Sequence, residues 1–134
     1  MKDLLSKTKI SKVTAPISPA ATGTITGTVV DTTGMNSVTF VISAGAQTTT
    51  GVTVTPVVVE GSATGSMTSV ADANLIGTEA LAALDGTAGA GSSKRVGYIG
   101  TARYVSCNLI VAAAATGVYS VQLLSEQSKG PVAQ

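Results

Sequence analysis

The sequence predicts an all-β fold: an antiparallel two-sheet sandwich, jelly-roll-like, of about eight strands with an extended N-terminal arm. Three observations lead there. Short runs of period-2 alternation recur along the 134 residues, and Gly, Pro and Asn punctuate them. No run carries helical periodicity for ten residues, and there are no long crossovers of the kind parallel strands need. The hydrophobic fraction is 44% while aromatics supply only 3%, so a core must be built from Val, Ile, Leu and Ala. A closed barrel is the second architecture such a pattern allows.

The elements follow in order. Residues 1–20 read as an extended arm, with a first short strand at Lys9–Thr14 before Pro16 and Pro19. The sandwich is expected over residues 21–126 and an extended tail over 127–134. A second strand is predicted at Gly23–Asp31, and a third at Ser37–Ala44, where Val38, Phe40 and Ile42 form an inward face. The fourth, Val52–Glu60, holds Pro56, which cannot donate to a ladder and so places this strand at an edge or a bulge. A fifth runs Ser66–Val70. Residues 78–84, TEALAAL, are the one helical signal, a turn or two with Thr78 as N-cap. Residues 86–93, GTAGAGSS, read as a flexible loop. Strands six and seven, Arg95–Ile99 and Arg103–Ala112, are predicted to be neighbours across a turn at Gly100–Ala102, with Gly100 free to take positive φ. Gly97 marks a bulge or a close approach. An eighth strand is expected at Gly117–Ser125.

Parity sorts strand seven. Val105, Cys107, Leu109 and Val111 share the core face, and Tyr104 points outward or into an interface, with Arg103 at the strand's start.

Chemistry is scarce. There is no histidine, so the usual general base and the commonest metal ligand are both missing. Cys107 stands alone and reads as a small core residue. Gly86 and Gly91 have P-loop spacing, but Ser92 and Ser93 stand where Lys and Ser/Thr belong, and a strand follows. The seven acids are scattered near turns. We expect no enzyme, no metal and no cofactor. MKDLLSKT is unlike a secretory leader, and no apolar run reaches the roughly 18 residues of a membrane span.

Charge is sparse, at 11% of residues against about 25% in ordinary soluble domains. Low charge with high hydropathy suits a surface covered by other subunits. The net charge of +1 gives no field to attract nucleic acid. Lys2, Lys7, Lys9 and Lys12 give the first twelve residues a charge of +3, and the rest carries −2. The four lysines, with Arg103 and Tyr104, are the candidate partner-binding residues, and an acidic partner is what the arm would meet.

One ordered set of segments carries a resemblance. VADANLIGTEALAAL is followed by a Gly/Ala/Ser loop, then KRVGYIGTARYVSCNLIVAAAATG, then a closing strand and the tail GPVAQ. This resembles the small head decoration (capsid cement) proteins of tailed bacteriophages, over about residues 37–132, most specifically in Val70–Gly77 and Arg95–Val105. The resemblance implies a jelly-roll β-sandwich that self-associates as a dimer or trimer and binds the outside of the major capsid protein shell, with no catalytic motif. The expected location is the outer surface of the virion, after synthesis in the host cytoplasm. The closing strand and the N-terminal arm depart from the family pattern. A surface adhesin or carbohydrate-binding sandwich is the alternative, and a phage neck or tail structural protein a close variant.

Overall fold

The structure, a computed structural model, describes residues 7–46, 51–85, 91–113 and 117–127. It is an antiparallel β-sandwich. The strands are β1 (Thr8–Ile17), β2 (Gly23–Ile25), β3 (Val30–Asp31), β4 (Met35–Ala44), β5 (Thr53–Ala63), β6 (Ser66–Ser69), β7 (Leu75–Ile76), β8 (Leu84–Asp85), β9 (Ser92–Tyr98), β10 (Tyr104–Val111) and β11 (Tyr119–Gln127). The first sheet runs β1-β11-β4-β9-β7. The second runs β2-β10-β5-β6, with β3 also on β10 and β8 also on β5.

The alternation in the sequence builds the core directly. Val38, Phe40 and Ile42 from β4, Val96 and Tyr98 from β9, and Tyr119, Val121 and Leu123 from β11 meet Val54 and Val58 of β5 and Val105, Cys107, Leu109 and Val111 of β10. Apolar burial of this kind contributes about 25 cal/mol per Å² removed from water. Most of these side chains are β-branched, which suits a pleated, half-buried surface.

Five expectations need correction or sharpening. Residues 8–17, expected within an arm outside the sandwich, form β1, an edge strand paired to β11 from Thr8↔Glu126 to Ile17↔Tyr119. Residues 1–6, the tail from 128 and loop residues 86–90 lie outside the described residues.

The single strand expected at Gly23–Asp31 is two. The reason is Gly27. Its backbone lies so close to β10 that an added Cβ would sit 2.3 Å from the Cys107 carbonyl oxygen. Its N–H donates to Asn108 Oδ1 at 3.0 Å. The next residue reaches the other sheet, with the Thr28 N–H donating to the Val13 carbonyl at 2.8 Å. Residues 26–29 therefore close one side of the sandwich.

Pro56 is buried inside a strand paired on both sides, yet its missing donor falls in a gap. On the side away from β10, β8 reaches only Thr53 and Val54, and β6 begins at Val59. The Val58 N–H points into that gap, donating to Glu79 Oε1 at 2.6 Å, and Pro56, two residues earlier, faces the same way.

TEALAAL makes one turn and no helix. The Thr78 hydroxyl accepts the Leu81 N–H at 3.1 Å, the capping bond its residue type favours. The chain then enters β8.

The largest correction concerns strands six and seven. They are not a hairpin. β9 has β4 on one side and β7 on the other, so neither edge is free for β10. Residues 99–103 cross from the first sheet to the second. Tyr98 organises the crossing: its hydroxyl donates to the Glu60 carboxylate on β5 and accepts the Ala102 N–H at 3.0 Å. The Ile99 N–H donates to the Asn74 carbonyl at 2.9 Å. Gly100 is there for space, not for positive φ. A Cβ on it would lie 2.4 Å from the Tyr98 hydroxyl oxygen.

Candidate functional site

The six candidate residues do not form one site. Lys2 lies outside the described residues. Lys7, Lys9 and Lys12 are exposed along β1 and its approach, at the edge of the first sheet. Arg103 and Tyr104 sit at the start of β10, in the second sheet.

Arg103 is already engaged. Its Nε and Nη2 donate to Asp31 Oδ2 at 3.1 and 2.9 Å, and its guanidinium lies 5.0 Å from the centre of the Tyr104 ring. Asp31 Oδ1 accepts the Thr33 N–H at 2.9 Å and hydroxyl at 2.6 Å. The Arg103 guanidinium, then the Thr33 donors, hold the Asp31 carboxyl well below the usual carboxylate range. The same carboxylate raises Arg103. Asp31 therefore adds stability that is fully present above about pH 4 and is lost as pH falls through its lowered folded value. The pair is solvent-exposed, so the effect is small. We expect the melting temperature of an Asp31→Asn variant to fall less than the parent's between pH 5 and pH 2. Parallel pH profiles in a thermal melt would contradict this.

Cys107 is fully buried, and burial pushes its thiol up to about 12, so at neutral pH it is a protonated core group. Glu79 is half-buried beneath β5. Burial raises its carboxyl, the Val58 N–H works against that, and Asp72 adds a smaller upward push. Among the described residues no three His, Cys, Asp or Glu side chains cluster as metal ligands. No helix among them is long and apolar enough to cross a membrane. A groove of about 400 Å³ lies where β4 and β9 meet the 99–102 crossing, walled by Met35, Ile76 and Ile99 and floored by Gly97. The one ionisable group on it is Tyr98, whose hydroxyl is raised to about 12, chiefly by burial and then by its bond to Glu60.

A feature the sequence reading missed is the outer face of the first sheet. In register across all five strands, Ile10 opposes Leu124, Leu124 opposes Thr39, Thr39 opposes Gly97 and Gly97 opposes Ile76. Three of these are apolar and open to solvent: Ile10 at 65%, Leu124 at 37% and Ile76 at 64% exposure. The next row along the same face reads Lys12, Gln122, Val41, Arg95. Parity on β1 would have placed Ile10 and Lys12 together, but β7 has only two residues and no periodicity to read.

Charge divides between the sheets in the same way. Among the described residues, Lys7, Lys9, Lys12, Lys94 and Arg95 belong to β1, its approach or β9, with Glu126 the one acid on that sheet. Asp31, Glu60, Glu79 and Asp85 belong to the second sheet and its connections, with Arg103 their cation, and Asp72 lies in the turn that leads into β7. Three of the four aromatics, Phe40, Tyr98 and Tyr119, are buried, so the surface has no row of exposed rings for stacking a sugar or a base. No protein-family model matches this chain, and no curated protein matches it.

Proposed function

We propose that this chain is a structural virion protein that decorates and cements a bacteriophage capsid. It binds the outside of the major capsid protein shell, bridges neighbouring subunits and works as a homo-oligomer, a dimer or trimer, without enzymatic chemistry. The observation that carries this reading is the resemblance in Val70–Gly77 and Arg95–Val105. These segments are far apart in sequence but adjoin in the fold. Leu75 pairs with Tyr98 and Ile76 with Gly97, and the Ile99 N–H closes on Asn74. A motif in two parts that meet is harder to produce by composition alone than one run of Gly, Ala and Thr.

The surface supports the same reading. It is sparsely charged, rich in hydroxyls and has exposed apolar side chains on a rigid sheet. That suits a passive clamp better than a free monomer. A protein that binds only the expanded shell stabilises that state by mass action, and many copies acting together turn weak contacts into strong retention.

The test uses expanded, empty capsids assembled from the shell protein encoded alongside this chain. Added protein is expected to sediment with the particles and raise their disruption temperature. Saturating binding without any rise would leave a decoration without a cement. Absence of binding would overturn the proposal.

A further inference from the structure

We infer that the outer face of the first sheet, centred on Ile10, Leu124 and Ile76 and flanked by Lys12 and Arg95, is the surface that docks on an acidic protein. This rests on the cement reading above and names the side of the molecule that turns toward the shell. Three observations carry it.

The first is size and shape. At a rise of about 3.3 Å per residue and a spacing of about 4.8 Å, the strands of this sheet make a face of about 600 Å². Specific protein interfaces take about 600–1,000 Å² from each partner. The face therefore reaches the lower end of that range, and β1's exposed edge adds to it. Its exposed apolar side chains lie toward both edges, Ile10 on β1, Leu124 on β11 and Ile76 on β7, with Lys12 and Arg95 in the adjacent row.

The second is charge. Lys12 and Arg95 lie on this face, Glu126 is the one described acid on it, and Lys7 and Lys9, of opposite parity, add positive charge to the exposed β1 edge. Complementary potential would speed encounter with an acidic surface and set its orientation.

The third excludes a second copy as the occupant. The same face on another copy brings like charges together. On the opposite side of another copy, three of the four described carboxylates are already engaged, Asp31 with Arg103 and Thr33, Glu60 with Tyr98 and Glu79 with the Val58 N–H, and Asp85 of β8 alone is too little charge to match this face. The exposed isoleucines in the row beside the cations favour a protein over a phosphate backbone, which would want a denser basic patch interleaved with aromatics.

The experiment measures binding to the same expanded capsids for the parent, for Lys12→Glu/Arg95→Glu, for Ile10→Thr/Leu124→Thr and for Ile110→Thr on the outer side of β10. Unchanged melting curves qualify each variant as folded. We expect the two double variants to lose about tenfold or more in affinity and Ile110→Thr to match the parent, with parent binding weakening as salt rises. Hydrogen exchange on the parent adds a readout that needs no variant: binding should protect β1 and β11 and leave β6 unchanged. If the parent binds but the double variants bind equally, or if protection falls on β6 and β10, this assignment is wrong and the cement reading stands. If the parent does not bind at all, both fall. Tighter binding of the parent to duplex DNA or to phosphatidylglycerol vesicles, lost in Lys12→Glu/Arg95→Glu, would give the face to another class of partner and also overturn it.

Discussion

Gly27→Ala is expected to destabilise the protein by about 3 kcal/mol, the upper part of the usual range for overpacking a filled site. One methyl group is enough because of what surrounds it. The new Cβ would lie 2.3 Å from the Cys107 carbonyl oxygen, 2.7 Å from Val13 Cγ1 and 2.9 Å from the Ser106 hydroxyl. The nearest of these is backbone in the middle of β10, which cannot rotate away. Relief would require residues 26–29 to lift off β10. That move stretches the Gly27 N–H bond to Asn108 and the Thr28 N–H bond to Val13, the two contacts that close this side of the sandwich. For a domain of this size the loss corresponds to a fall in melting temperature of roughly 10 °C. Gly65→Ala is the control, since a Cβ there meets nothing within 4 Å. Thermal melts of the two variants side by side check the claim. A Gly27→Ala shift as small as that of Gly65→Ala would mean that residues 26–29 are not the closure they look to be.

The same glycine shows where the sequence could be read and where it could not. Within a strand, parity is a local property, and the inward sets Val38–Phe40–Ile42 and Val105–Cys107–Leu109–Val111 are all buried as alternation requires. Pro56 carried its consequence in its own chemistry: a missing donor needs a place with no acceptor waiting, and the gap between β8 and β6 is that place. What alternation does not encode is which strands are neighbours. The connection between Tyr98 and Tyr104 is as short as a hairpin turn, yet it joins two sheets, because β4 and β7 occupy both edges of β9. Gly97 and Gly100 announced something unusual and Gly27 passed as an ordinary strand residue, because the object each must accommodate comes from elsewhere in the fold. For Gly97 it is Ile76, whose Cβ would be 3.1 Å from an added Cβ.

The docking residues divide along the same line. The basic character of the first twelve residues was legible as composition. Its position was not, because β1 gains its place only by pairing with β11, more than a hundred residues later. That pairing turns a run of lysines into one edge of a flat, partly apolar face and sets Ile10 in register with Leu124. Arg103 was singled out as a charge at a strand start, but its partner Asp31 lies 72 residues away, and alternation does not say that β3 is the neighbour of β10.

Tyr98→Ala is expected to cost about 3–5 kcal/mol, the range for removing a buried aromatic ring. Tyr98→Phe separates the ring from its hydroxyl. The ring fills the space between the sheets and lies against Gly100. The hydroxyl ties β9 to β5 through Glu60 and holds the crossing through the Ala102 N–H. Phenylalanine keeps the first role and abandons both hydrogen bonds, leaving a part-buried carboxylate and an amide without their partner, at about 1–3 kcal/mol. Glu60→Leu should recover part of that loss in the Tyr98→Phe background, because removing both members of a buried polar pair is milder than removing one. Denaturant unfolding of the four proteins in this cycle yields the coupling directly, and we expect it to exceed about 1 kcal/mol. Coupling near zero, with Tyr98→Phe as stable as the parent, would show that the crossing is held by ring packing alone. The segment most specific to the resemblance would then owe its geometry to Gly100 and the Asn74 carbonyl, not to the link between the two sheets.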